Sequence, residues 1–398
     1  MAEKIVSPGV FTDEIDQSFL PAAIADIGAA VIGPTMKGPV LVPTVVSSFS
    51  EFEQVFGNEF RSGSAYQTYL TSLCARNYLK NADKLTVVRI LDGTYGGANS
   101  YVPTGSNAVP ATLADGQPHY TGSSTSTTWA EADASFRLHT LSDGALLNNG
   151  AVGGGGHPGT LGTGGDIGIS GSKHNIRWEV SNINRSKGTF TLLIRSGADT
   201  LKRKQVLETW NNLSLDPNSN NYISKVIGDS YTSIGGTESE PYLTFTGTYP
   251  PKSKYVRVEV FKQTADYLDE NGTIRVNAAS ASLPGLNSGS FTGGTDGFNG
   301  FDSTGGVSCA TTTTPEFTWF DKIDTNSQGL NPATADEGKT AYTKALNLLS
   351  NQDEYDINLL MLPGIIDNKH SAVGQKAIDV CEDRGDCFVI LDPVTYGT

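Results

Sequence analysis

Apolar and polar positions divide the chain into three textures. From Ala22 to Leu91 the pattern is compact and mixed. AAVIG reads as a short buried strand, VPTVV as a second extended piece, and FSEFEQVFG as a short helix with Phe49, Phe52 and Phe56 at i, i+3 and i+7. AYQTYLTSLCARNYLKN places Tyr66, Tyr69, Leu70, Leu73, Cys74 and Tyr78 on one helical stripe, and KLTVVRIL follows as a strand. After Leu91, Gly, Ser, Thr, Asn and Ala dominate through SSTSTTW and AVGGGGHPGTLGTGG, a composition that cannot sustain helices and suits short strands, turns and loops. From Asn175, alternation in NIRWEVSNI, GTFTLLIRS, YLTFTGTY and KYVRVEVFKQ predicts strands, with KRKQVLETWNNLS as a short helical or irregular crossover.

Beyond FTGGTDGFNG, helix and strand units resume. TADEGKTAYTKALNLLS predicts an amphipathic helix opened by Thr334, with Glu337 completing a capping box. DINLLMLPG and CFVILDP both read as strands buried on two faces, with the helix SAVGQKAIDVCED between them, which implies parallel strands and right-handed crossovers. The economical organisation is a multidomain α+β chain. Residues 22–91 and 292–398 form one discontinuous α/β core domain, and residues 92–291 form a β-rich insertion with subdomains at about 100–170 and 171–291.

The first 21 residues stand apart. In MAEKIVSPGVFTDEID, Pro8 bars a helix, and Val6, Val10, Phe11 and Ile15 favour extended backbone. Pro8 and Gly9 are not followed by a hairpin turn that would fold a local partner back, so the segment predicts an extended arm whose backbone pairs elsewhere.

Composition changes this picture little, while charge narrows it. Of the 398 residues, 37% are hydrophobic and 18% charged, which is ordinary for folded protein. The net charge of −14 argues against nucleic acid as a direct ligand, because a phosphate-tracking surface must be basic. Residues 291–398 hold 16 acidic against 6 basic side chains, net −10, so most of that charge sits in the last quarter. No apolar stretch is long enough to span a bilayer, and the N-terminus lacks the signature of a secretory signal, so no membrane insertion and a cytosol-like site of synthesis are expected.

Candidate chemistry is sparse. His119, His139, His157, His174 and His370 share no metal-ligand spacing, and no P-loop, GxSxG or HExxH motif is present. GGGGHPG matches a phosphate loop only in glycine content. Asp383, Asp386 and Asp392 at strand ends are read as solvated loop acids. RGD at Arg384 to Asp386 is expected to be structural, with Gly385 as a helix C-cap and Asp386 as a turn residue. Cys74, Cys309, Cys381 and Cys387 fit neither a zinc site nor a disulfide framework; free thiols are expected, although Cys381 and Cys387 are close enough in sequence to bridge. Trp129, Trp178 and Trp210 offer either sugar-stacking surfaces or core residues, which leaves glycan binding as an alternative. No cofactor and no enzymatic activity are expected.

Taken in order, SPGVFTDEIDQS, AAVIGPTMKGPVLVPTVVSSFSEFEQVFG, ETWNNLSLDPNSNNYISKVIGDS, FTGGTDG, NLLMLPG and DVCEDRGDCFVILD resemble the tail sheath proteins of contractile-tailed bacteriophages, most closely the T-even-like myophage type. The resemblance implies a structural subunit of a virion that polymerises with its neighbours around a tail tube and contracts to drive the tube through the host envelope. It implies tube, baseplate and tail terminator proteins as further partners, assembly in the bacterial cytoplasm, and no nucleotide. Within it, Lys4 to Ile15, including Val6, Pro8, Gly9, Val10, Phe11 and Ile15, corresponds to an arm that adds a strand to a neighbour's sheet. Gly293, Gly294, Asp296 and Gly297 correspond to a hinge between core and insertion. Sheath proteins usually continue beyond the FVILD strand, so this chain is expected to be a partial product. A phage-derived injection or secretion system would use the same kind of subunit.

Overall fold

The computed structural model describes residues 28–62, 65–105, 132, 134–148, 174–199, 203–275, 282–296, 300–301, 307–308, 323–335, 338–395 and 397. Chain order begins β1 (Ala29–Gly33), β2 (Thr44–Val46), α1 (Phe49–Phe56), β3 (Glu59–Ser62), β4 (Ala65–Thr68), α2 (Leu70–Tyr78), β5 (Leu85–Arg89), β6 (Tyr95–Pro103) and β7 (Ala134–Asp143). There follow β8 (Ile176–Asn184), β9 (Thr189–Ser196), β10 (Val206–Ser214), α3 (Ile223–Ile227), β11 (Tyr231–Gly236), β12 (Pro241–Thr246) and β13 (Val256–Val260). The chain closes with β14 (Asn287–Ser290), β15 (Thr295–Asp296), β16 (Gly300–Phe301), β17 (Val307–Ser308), α4 (Lys339–Leu348), β18 (Leu359–Ile366), α5 (Ser371–Arg384) and β19 (Phe388–Asp392).

Strands from the two ends of the sequence share one five-stranded sheet in the order β19-β18-β1-β5-β2. The first four run parallel, and β2 is antiparallel to β5. In β1, Ala29 and Val31 face a core with Phe52, Phe56 and Ala75 of α1 and α2, while Ala30 and Ile32 face a core with Tyr342, Ala345, Val373 and Ala377 of α4 and α5. Alternation is invisible in AAVIG because helices cover both faces. Burial of Phe52 and Phe56 stabilises this layer by about 1.5–3 kcal/mol each. Helix α1 starts as its sequence predicts: Ser48 Oγ accepts from the Glu51 N–H at 3.3 Å, and Glu51 Oε2 accepts from the Ser47 N–H at 2.8 Å.

A second pair of sheets, β10-β9-β8-β14 and β13-β7-β6-β15, packs face to face around one core. Phe136 of β7 stacks on Phe190 of β9 with ring centroids 5.8 Å apart. Trp178 of β8 is 2% exposed and donates to Ser100 Oγ of β6 at 2.8 Å, so its polar edge is satisfied inside the sandwich. Gly289 pairs with Trp178 in register, and a Cβ there would lie 2.6 Å from the indole ring. The hairpin β11-β12 stands apart as its own two-stranded sheet, and Asn347 Nδ2 of α4 donates to Glu238 O at its tip.

Five sequence expectations are corrected. The helix expected from Ala65 begins at Leu70, because Ala65–Thr68 pairs antiparallel with β3 and Gln328 Oε1 accepts the Leu70 N–H at 2.7 Å. The fully buried positions within α2 are Thr71, Ser72 and Ala75, so small and polar residues make the closest packing, while of the predicted stripe Tyr69 is buried at the N-cap and Cys74 and Tyr78 pack at the margin of the core. KRKQVLETWNNLS contains β10, an edge strand whose pairing shifts register between Trp210 and Leu213, where Asn212 has φ 55°; this irregularity erases the period-two signal. Thr334 does not cap α4: the N-cap is Gly338 without a side-chain bond, and Thr334 instead accepts the Lys339 N–H through its backbone carbonyl at 3.1 Å. CFVILDP forms a strand, but not one buried on both faces, as described next.

Candidate assembly site

Strand β19 ends the five-stranded sheet, and among the described residues no strand pairs with its outer edge. Its register with β18 places Phe388 beside Leu359 and Ile390 beside Met361. Cys387, Val389 and Leu391 point toward the α4/α5 core and are partly buried. Phe388 and Ile390 point to the opposite face, where α2 lies over β1 and β18 and, among the described residues, no helix covers β19, and they are 70% and 50% exposed. Val394, just beyond the strand, is 53% exposed. An apolar face beside a row of unpaired backbone groups is a template for an added strand.

The RGD segment holds this edge in place. Arg384, the last residue of α5, donates Nη1 to Leu349 O at 2.6 Å and Nη2 to Tyr355 O at 2.9 Å. Its Nε and Nη2 meet the two Asp386 carboxylate oxygens at 2.9 and 2.8 Å. Gly385 has φ 70° and returns its N–H to Cys381 O, closing the helix before β19 starts. Arg384 therefore ties the end of α4, the loop after it and the entry to β19 into one buried knot. Asp392 contributes its backbone carbonyl to the Asp367 N–H at 2.8 Å. Cys74, Cys381 and Cys387 are free thiols; Cys381 and Cys387 lie with sulfurs 3.0 Å apart, and burial, helped by the neighbouring Cys387, pushes the Cys381 thiol up to about 12. Cys74 and Cys387 are half-buried, and Cys309 lies outside the described residues.

A second knot joins the α/β layer to the sandwich. Arg89 closes β5 and is buried; it donates to Thr35 O at 3.2 Å, Gly38 O at 2.6 Å and Asp143 O at 2.8 Å. Its Nη2 lies 3.7 Å from Asp296 Oδ1, with both side chains sequestered from solvent. Burial lowers the Arg89 pKa, while Asp296 and Asp143 favour its charge. Burial likewise raises the Asp143 pKa against the stabilising Val40 N–H and Arg89. The expected hinge residues gather here: Gly293 has φ 82°, Gly294 exchanges two 2.8 Å hydrogen bonds with the Asn148 amide, and Asp296 faces Arg89. Gly297 lies outside the described residues.

The arm residues Val6, Pro8, Gly9, Val10, Phe11 and Ile15 also lie outside the described residues, as do His119, Trp129 and His157. The remaining histidines are dispersed. His139 contacts Glu259 at 2.8 Å on the sandwich surface, His174 precedes β8, and His370 stands at the N-cap position of α5 with its Nδ1 accepting the N–H of Ile366, at the end of β18, at 3.1 Å. Burial is the main cause lowering the pKa of both His139 and His370. Among the described residues no group of three His, Cys, Asp or Glu is arranged to hold a metal, and no helix is long and apolar enough to cross a membrane. Sequence reasoning treated Arg89 as one more strand residue. An arginine at the polar end of an otherwise apolar strand was the available signal that it anchors something.

No protein-family model and no curated protein matches the chain. It is similar to two solved structures of sheath tail proteins. The one from Listeria innocua has 12% identity and a TM-score of 0.39, covering 90% of this chain and 44% of the other. The one from Desulfitobacterium hafniense has 12% identity and a TM-score of 0.36, covering 96% and 52%. The chain spans about half the length of each.

Proposed function

We propose that the chain is a structural, non-enzymatic subunit of a contractile phage tail sheath of the T-even-like type, which polymerises around a tail tube in the virion. The observation that carries this reading is the bare edge of β19, with Phe388 and Ile390 exposed at the end of an otherwise two-sided α/β sheet. The ordered sequence motifs from SPGVF to FVILD support it, and the extended segment from Lys4 to Ile15 is of the type that adds a strand to such an edge. A contact of this kind between successive copies is head-to-tail and need not close, so it generates an open filament.

In this reading the two chain ends, residues 22–91 and 292–398, build the polymerising core. Residues 92–291 form the outward insertion; Gly293, Gly294 and Asp296 connect the two at the Arg89 knot, and Gly297 belongs to the same proposed hinge. Contraction is a rigid-body rearrangement released by the baseplate, from a metastable extended lattice to one with larger contacts, with arms keeping neighbours linked throughout. A gain of about 1 kcal/mol per subunit becomes large when many convert together, because packed interfaces switch between discrete arrangements. Tube and terminator proteins complete the partners, and a phage-derived injection apparatus would use the same subunit chemistry. The glycan-binding alternative loses support from two of the three aromatic residues that raised it: Trp178 is a sandwich core residue, and Trp210 packs against the same core and donates to Glu208 at 3.1 Å.

Electron microscopy of the complete gene product expressed alone tests the proposal. Hollow tubes or stacked rings are expected; monodisperse particles at every concentration and salt condition tried would overturn it.

A further inference from the structure

A cleft runs beneath the β11-β12 hairpin, where the hairpin crosses the outer face of β7 and β13. Its inner chamber measures about 750 Å³ and its outer chamber about 480 Å³, and His139, Tyr231 and Arg257 line both. These volumes fall in the range of small-molecule sites. Arg257 stands between the chambers with its guanidinium over the Tyr231 ring, 4.0 Å from the centroid. The acids around it are committed elsewhere. Glu259 binds Arg137 and His139, Asp143 accepts the Val40 N–H at 3.0 Å, and Asp229 Oδ1 accepts the Thr248 and Tyr249 N–H groups at 2.8 and 2.7 Å. What acts on Arg257 is burial and longer-range charge, with no hydrogen bond among its influences. A half-buried guanidinium held flat by an aromatic ring, with no hydrogen bond from its donors among the described residues, is a preorganised carboxylate receptor. The inner chamber beyond it is lined largely by apolar groups, among them Val40, Val42 and Pro251 with Phe245 at its mouth, and Lys254 and Thr140 also reach it. Phe245 is 77% exposed, the largest exposure among the big apolar side chains described.

We propose that this cleft binds a small organic carboxylate with an apolar body, the carboxylate on the Arg257 guanidinium and the body in the inner chamber under Phe245. The assignment stands apart from the sheath reading, since it rests on a cleft formed by the hairpin, the sandwich and the Val40–Val42 segment of the α/β layer and needs no second copy of the chain. Stacking on Tyr231 removes rotamer freedom from Arg257 before the ligand arrives, and the apolar chamber discriminates against acids without a hydrocarbon body. The neutral His139 beside it, its pKa lowered by burial, adds no competing charge.

The test uses the full chain and three probes, 4-phenylbutyrate, 4-phenylbutanol and acetate, followed by calorimetric titration and saturation-transfer NMR. Saturable phenylbutyrate binding is expected, at least tenfold tighter than either the uncharged alcohol or acetate. Arg257→Gln should weaken phenylbutyrate by tenfold or more and leave the alcohol unchanged, while Arg257→Lys should fall between. Absence of saturable phenylbutyrate binding, equal affinity for acid and alcohol on the unmodified protein, or undiminished binding in a folded Arg257→Gln variant would each overturn the assignment.

Discussion

Strands β18 and β19 are neighbours in space and both apolar in sequence, yet they have opposite fates. LLMLPGII lies between β1 and β19 with helices on both faces, and Leu360, Leu362, Ile365 and Ile366 are all buried. Among the described residues FVILD pairs on one side only; Val389 and Leu391 find the α4/α5 core, while Phe388 and Ile390 are exposed. The difference lies in what stands beside and above each strand, not in how apolar it is. An apolar strand left at an edge is costly to keep soluble and is usually blunted by charge, proline or a bulge. Here only Asp392, at its end, carries charge, which is the feature expected of an edge that is covered in an assembly.

If a neighbour's arm covers β19, deleting residues 1–20 should abolish polymers of the complete protein while leaving circular dichroism and melting temperature unchanged. Polymers of normal length after that deletion would break the contrast between the two strands at its functional end. On the side of stability, Leu360→Ala in β18 should cost about 2–5 kcal/mol by urea denaturation, against under about 1 kcal/mol for Ile390→Ala in β19, since the latter leaves no cavity. Similar losses at both positions would show that β19 is covered within the isolated chain. Arg384→Ala should cost about 1–3 kcal/mol by leaving Leu349 O and Tyr355 O without their donor, and should expose the start of β19 to hydrogen exchange before β18.

The smallest effect concerns pH. Burial lowers the His370 pKa in the folded state, whose neutral ring accepts the Ile366 N–H. That contribution is fully present above the unfolded imidazole value of about 6.5 and is lost as pH falls below it toward the lowered folded value. The melting temperature should therefore drop between pH 7.5 and 5.5, and His370→Gln should flatten that slope. An unchanged slope in the variant would place the responsible groups elsewhere.

Legibility in the sequence followed the range of the interactions. The short helix FSEFEQVF was readable because its phenylalanine spacing lies within a few consecutive residues; its Ser48 and Glu51 cap is equally local. Strands β8, β9, β12 and β13 were readable where regular alternation survives. Strand β10 was misread because a bulge at Asn212 breaks its period, and α2 was started too early because Tyr66 and Thr68 are spent on a hairpin with β3. The knots around Arg89 and Arg384 were hidden for another reason. Arg89 reaches backbone carbonyls 51 and 54 residues away, and Arg384 reaches carbonyls 29 and 35 residues away, so no local pattern records either.

By itself the sequence determined the alternation of apolar and polar positions, the breaks at Gly and Pro, and the left-handed turn at Gly385, because each depends on the chemistry of a few consecutive residues. Tertiary structure alone decided which apolar strand became the centre of the sheet and which its edge, and which arginines became anchors. Those outcomes depend on which distant segments arrive alongside, and the free energy of burying a side chain belongs to the pair of surfaces that meet, not to either one in isolation.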